Sequence, residues 1–196
     1  MPEWIAEERR LRAEGFSRIA GVDEAGRGPL AGPVYAAACV LPEGLVIAGL
    51  NDSKQLKPAL REQLFEQMVH TPGLQYGVAW ASVEEIDKHN ILQATLKAMR
   101  RAVRHLPAPP DYILIDGNQK PRLTTPSACI IKGDAKVACI AAASVFAKVL
   151  RDRAMRLMAE AWPGYGFERH FGYPTQLHRA MLAQKGPTPI HRKSFL

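Results

Sequence analysis

Between Gly21 and Pro33 the chain reads GVDEAGRGPLAGP, and this segment constrains the fold more than any other. A short strand-like stretch, Arg18 to Asp23 with Ile19, Ala20 and Val22, leads into it. An apolar run, Val34 to Leu41, leaves it between Pro33 and Pro42. Both have the length of strands, so the segment must turn the chain between them. Gly26, Gly28 and Gly32 permit a tight turn and a close approach of backbone to a ligand. The spacing is neither GxGxxG nor a Walker A loop, so it gives no support for a nucleotide cofactor. Two readings stand side by side: a plain glycine-rich hairpin, or a loop whose peptide groups and Arg27 meet a sugar–phosphate backbone.

The rest of the chain alternates. Met1 to Gly15 is a charged, helical lead-in. Pro58 opens a helix with Leu60, Leu64 and Met68 on one face. Leu74 to Ala81 is a third strand. Ser82 and Glu85 have capping-box spacing, and the helix they open carries Leu92, Leu96, Met99, Val103 and Leu106 before the breaker at Pro107 to Pro110. Tyr112 to Ile115 is a strand ending at Asp116. Ser127 to Ile131 is another, shortly before Asp134. Lys136 to about Trp162 is a long helix, small and apolar in its first half. Pro163 to Tyr173 reads as a Gly- and aromatic-rich loop, and Thr175 to Gln184 as a last helix stopped by Gly186 and Pro187. Strands first, then strands alternating with helices, indicate a mixed α/β sheet.

The 196 residues suit one domain with a sizeable core, or a core plus a small C-terminal extension. The longest uncharged run, Gly28 to Pro42, is shorter than the roughly 20 apolar residues of a membrane span. Glu3, Glu7 and Glu8 and the lack of an apolar stretch make a signal peptide an unsuitable reading of the N-terminus. Cys39, Cys129 and Cys139 lack CxxC spacing and read as reduced, packed thiols of a cytoplasmic protein. Lysine and arginine total 26 against 19 aspartates and glutamates, a formal charge of +7. That excess is a mild hint of a polyanionic partner.

Four acids carry the most information. Asp23 and Glu24 follow the first strand, Asp116 ends the fourth, and Asp134 lies just past the fifth. Taken singly, each is better explained as a turn or cap residue. Taken together, they can converge on one rim of a sheet, where open α/β sheets bind ligands. Clustered carboxylates repel one another. A divalent cation resolves the repulsion, and all-oxygen ligation favours Mg²⁺ or Mn²⁺.

At this point the resemblance becomes specific. Gly21 to Val34 resembles the signature of ribonuclease HII, the type 2 ribonuclease H. Asn51-Asp52-Ser53-Lys54, Asn90-Ile91-Leu92 with Ala98-Met99, and Ile115-Asp116-Gly117 continue the likeness. So do Gly133-Asp134, Ala142-Ala143-Ser144, Ala147-Lys148-Val149 and Arg151-Asp152. Tyr165-Gly166-Phe167, His170, Gly172-Tyr173, Thr175, His191-Arg192 and Ser194-Phe195 complete it over nearly the whole chain.

The resemblance implies a ribonuclease H-like five-stranded mixed sheet flanked by helices, three antiparallel strands leading into two parallel ones. It also implies a helical C-terminal extension at roughly 163–196 of a single catalytic domain spanning 1–196. The implied activity is endonucleolytic hydrolysis of the RNA strand of RNA/DNA hybrids, and cutting 5′ to single ribonucleotides in duplex DNA, as in ribonucleotide excision repair. Two Mg²⁺ or Mn²⁺ ions would hydrolyse the phosphodiester, leaving 3′-hydroxyl and 5′-phosphate ends. Asp23, Glu24, Asp116 and Asp134 would be the catalytic metal ligands. Gly26, Arg27 and Gly28 would contact the 2′-hydroxyl and its phosphate, and Tyr173 the sugar of the next deoxynucleotide. The 2′-hydroxyl is what separates RNA from DNA. Phe171 departs from the lysine of many relatives, so no phosphate contact is expected there.

Lys54, Ser144 and Lys148 are further candidate substrate contacts. Arg151 is one too, although a solvated helix face with a Lys148–Asp152 pair explains it as well. The six histidines show no metal-ligand spacing, and surface or packing roles are expected, with His170 singled out by its nearness to Tyr173. Trp80 and Trp162 read as packing residues. A non-catalytic hybrid-binding protein would need the basic surface without the four acids. A type 1 ribonuclease H would carry a different signature. A monomer without membrane contact is expected.

Overall fold

In the computed structural model, residues 3–50, 53 and 56–196 are described, and statements below concern these. Five strands form one sheet in the order β3-β2-β1-β4-β5. They are β1 (Ile19–Ala25), β2 (Val34–Val40), β3 (Gln75–Ala81), β4 (Tyr112–Asp116) and β5 (Ser127–Ile130). β1 pairs antiparallel with β2, and β2 with β3. β1 pairs parallel with β4, and β4 with β5. The six α-helices are α1 (Ala6–Ala13), α2 (Pro58–Val69), α3 (Val83–Arg104), α4 (Ala138–Ala161), α5 (Phe167–His170) and α6 (Gln176–Lys185).

Alternation along the strands splits the core into two layers. Ile19, Ala25, Ala37 and Cys39 face α4, whose Ile140, Ala143 and Phe146 close that side. Ala20, Val22, Ala36 and Ala38 face α3, with Ile86, Ala94, Ala98 and Met99. Small residues let the layers approach closely. A Cβ at Gly21 would lie 2.2 Å from the backbone carbonyl carbon of Cys139. The first turn of α4 therefore rests directly on the central strand. α4 has no side-chain cap of its own. The buried Glu8 of α1 supplies one, accepting from the Cys139 N–H at 2.8 Å. A carboxylate is favoured there by the helix dipole.

The Ser82–Glu85 capping box forms as expected, with both reciprocal bonds present. Inside α3, Asn90 has φ +64°, and its side chain accepts from the Gln93 N–H at 3.0 Å. It restarts the helix after a kink that the apolar periodicity does not reveal. The segment expected as a loop after Pro163 contains the one-turn helix α5. No helix is long and apolar enough to cross a membrane. Cys39, Cys129 and Cys139 are unbridged, and burial pushes the Cys39 and Cys139 thiols far up in pKa, so neither is nucleophilic.

Candidate active site

Parallel pairing puts the ends of β1 and β4 on the same rim. Val22 is in register with Ile115, so the next residue on each strand, Asp23 and Asp116, stand side by side. β5 then runs into a short 3₁₀ turn, Gly133–Ala135, which delivers Asp134 before α4 begins. Asp116 Oδ1 holds that turn, accepting from the Gly133 N–H at 2.7 Å. The result is a knot of three carboxylates, Asp23, Asp116 and Asp134, each offering an oxygen within 4.8 Å of the others. Asp23 and Asp134 are buried, at 1% and 5% exposure. Such a donor set is all carboxylate oxygen, which fits a hard divalent cation.

Glu24 lies outside this knot. Successive strand residues point to opposite faces, so it leaves β1 on the α3 side and meets Arg27 at 3.4 Å. It still lines the same cleft, with Asp23, Asp116, Gly26, Arg27, Gly28, Ser53, Lys148 and Tyr173, around about 190 Å³. One cleft thus collects most of the residues singled out from the sequence.

The glycine loop is braced from behind. Arg192, fully buried, donates to the carbonyls of Gly26 (2.6 Å), Arg27 (2.9 Å) and Gly32 (2.9 Å). Burial pushes its pKa down to about 9, which leaves it charged at neutral pH. Gly26 has φ +101°, and a Cβ there would lie 2.0 Å from Arg151 Nε, so both space and conformation require glycine.

Arg151 and Trp80 differ from their expected surroundings, and Ser144 and Lys148 have partners inside the protein. Arg151 is fully buried and donates to the carbonyls of Pro33, Ala31 and Phe171. It ties the glycine loop to the late loop and has no face for a phosphate. Ser144 is buried as well, with its hydroxyl 2.6 Å from that of Ser53. It reaches the cleft only through Ser53. Lys148 lines the cleft, but its ammonium sits 2.6 Å from Asp152, which is itself 3.4 Å from Arg61. Burial lowers the Lys148 pKa against the pull of Asp152. The Lys148–Asp152 pair is buried, not solvated. Trp80, read as a packing residue, is 55% exposed and stacks on Tyr35. Lys54 lies outside the described residues, as do Asn51 and Asp52.

Two features escape the sequence. Arg192 belongs to a matched motif, but nothing in its spacing shows that it braces a loop near the other end of the chain. His170, His178 and His191 are all buried and form a stacked and hydrogen-bonded group behind Tyr173. Their separations in sequence gave no sign of it.

A carboxylate knot at the end of two parallel strands, sharing a rim with a braced glycine loop, defines a candidate divalent-metal centre on a mixed five-stranded sheet. The comparisons narrow this class. The sequence profile of the family Ribonuclease HII matches residues 20–196. The chain is 52% identical over 188 residues to "Ribonuclease HII" of Syntrophotalea carbinolica, covering 96% of this chain and 90% of that one. It is 53% identical over 188 residues to "Ribonuclease HII" of Moorella thermoacetica, covering 96% and 91%. The crystal structure of ribonuclease H2 from Pyrococcus horikoshii superposes with a TM-score of 0.76 at 30% identity, covering 91% of this chain and 93% of that one. This chain belongs to the ribonuclease HII family, whose members are metal-dependent endoribonucleases of RNA/DNA hybrids.

Proposed function

We propose that this enzyme cuts on the 5′ side of a ribonucleotide, within hybrids and at single ribonucleotides in duplex DNA, leaving 3′-hydroxyl and 5′-phosphate ends. The observation that carries the reading is the single cleft bounded by Asp23 and Asp116, by the Gly26–Gly28 backbone and by Tyr173.

Asp23, Asp116 and Asp134 would hold Mg²⁺ or Mn²⁺, and Glu24, lining the same cleft from the opposite face of β1, would be a fourth ligand. When bound, a pair of such ions supplies an activated water and stabilises the departing 3′-oxygen. The chain's own residues do the selecting. Arg192 draws the Gly26 and Arg27 carbonyls toward itself. In a planar trans peptide the N–H points opposite to the C=O. The amides of Arg27 and Gly28 therefore face away from Arg192, as preset donors for a 2′-hydroxyl or phosphate oxygen. Their orientation needs no rearrangement on binding.

Tyr173 sits across from Gly28, where a Cβ would come within 3.9 Å of its ring. At 37% exposure the ring has a face to offer. A flat ring fits against a sugar that lacks the 2′-hydroxyl, so the pair reads a ribonucleotide followed by a deoxynucleotide. Lys148 contributes positive potential at the cleft wall beside Tyr173, 5.7 Å from its ring. The three unbridged cysteines suit the reducing cytoplasm.

The test is Asp23→Asn, measured with Mg²⁺ on a hybrid substrate alongside the far-UV spectrum and melting curve. Turnover should vanish while folding is retained. Cleavage at the wild-type rate would remove the carboxylate knot from the chemistry.

A further inference from the structure

Behind Tyr173 a chain of hydrogen bonds runs through two buried imidazoles, and its direction is fixed by one backbone amide. The Thr188 N–H lies 2.9 Å from His191 Nδ1, and a backbone N–H can only donate. His191 Nδ1 is therefore unprotonated, and the neutral ring carries its proton on Nε2. That Nε2 lies 3.0 Å from His178 Nε2. His178 must accept there, which places its own proton on Nδ1. His178 Nδ1 lies 2.9 Å from the Tyr173 carbonyl, to which it donates. The Tyr173 N–H in turn donates to the His170 carbonyl at 2.8 Å, and its carbonyl also accepts from Thr175 N–H at 2.8 Å. The backbone of Tyr173 is thus held on both sides, with its ring directed into the cleft.

We propose that His178 and His191 are positioning residues that hold Tyr173 in its substrate-reading pose, and that they do so only while both are neutral. The proposal rests on the reading of Tyr173 given above.

A second proton on His178 would set two Nε2–H donors against each other. A second proton on His191 would point Nδ1–H at the Thr188 N–H. Either event breaks the chain. The surroundings oppose such protonation: His170 stacks on His178 with ring centroids 4.4 Å apart, Phe167 lies edge-on to it, and Tyr165 lies 5.6 Å from His191. Arg179 on the same helix adds positive charge, and burial is the largest influence lowering both pKa values. His170 has its own assignment: it accepts from the Gly172 N–H on Nδ1 and donates from Nε2 to the Tyr165 carbonyl.

The experiment measures a ratio: cleavage rate at a single ribonucleotide in duplex DNA over that in a uniform RNA/DNA hybrid. Both substrates share the hydrolytic chemistry, so its pH dependence cancels. Tyr173→Ala is the reference and should lower the ratio at least tenfold. His178→Leu, which cannot donate to the Tyr173 carbonyl, should lower it at least fivefold. His178→Asn, whose side-chain amide can donate from near the Nδ1 position, should stay within twofold of wild type. In the wild type the ratio should fall as pH drops below the ordinary histidine range, and in Tyr173→Ala it should be flat. If Tyr173→Ala keeps the ratio, the reading of Tyr173 fails, and the relay's role falls with it. If Tyr173→Ala loses the ratio while His178→Leu keeps it, the relay alone is overturned. ¹⁵N NMR of histidine-labelled wild-type protein gives a test that needs no variant to fold. It should show His178 protonated on Nδ1 and His191 on Nε2 at neutral pH. The reverse tautomers, or a charged ring, would overturn the proposal.

Discussion

Arg192 Nη2 donates to the carbonyl of Gly26 at 2.6 Å, joining residues 166 positions apart. Through this contact the C-terminal segment of the chain shapes the loop beside the carboxylates. The neighbouring His191 connects, through His178, to the Tyr173 carbonyl. Two adjacent residues of the extension therefore support both halves of the proposed substrate-reading surface.

The first prediction concerns that brace. Arg192→Lys keeps the charge but loses the planar fork that serves three carbonyls. Hydrogen bonds from charged groups are worth about 1.5–3 kcal/mol each, and an ammonium can replace only some of them. Urea denaturation should show a loss of about 2 kcal/mol or more, and KM for substrate should rise more than kcat falls. An unchanged midpoint and KM would mean that the loop holds its shape without the arginine.

Gly21→Ala tests the contact that seats α4 on the sheet. The added Cβ would meet the Cys139 backbone at 2.2 Å, and backbone cannot rotate away as a side chain can. Overpacking typically costs about 1–3 kcal/mol, and the upper end is expected here. Asp134 precedes α4 in the chain, so activity should fall as well. A variant with wild-type stability would show that the helix can shift at little cost.

Acid should weaken the extension. The pKa values of His178 and His191 are depressed by burial in the folded state. Their contribution to stability is therefore fully present above the ordinary histidine pKa of about 6.5. It is lost as pH falls through the depressed values, because the unfolded chain binds protons first. Melting temperature should decline below pH 6.5 in the wild type, and less steeply in His178→Asn/His191→Asn. Parallel profiles would assign the acid sensitivity to other groups.

Much of the fold was legible from local chemistry. Pro58 opens α2, Ser82 and Glu85 cap α3, and the apolar runs at Val34 and Tyr112 are strands. The convergence of Asp23, Asp116 and Asp134 was also legible, because strand ends and acids coincide in the sequence. What could not be read depends on tertiary contact. Arg151 and Asp152 look like an ordinary charged helix face until α4 is seen buried beneath two loops. Trp80 looks like core until β3 is recognised as the edge strand of the sheet. The three histidines have no shared spacing, because α5, α6 and the terminal segment bring them together only on folding. The kink at Asn90 is set by a single backbone conformation within an otherwise helical pattern.

The central claim is that the carboxylate knot and the braced glycine loop act on one phosphodiester beside a ribonucleotide. The most direct test incubates the purified protein with duplex DNA containing one ribonucleotide and maps the ends produced. A single cut 5′ to the ribonucleotide, requiring Mg²⁺ or Mn²⁺ and stopped by a chelator, is the predicted result. Cleavage that persists under chelation, or a substrate left intact with either metal, would contradict it.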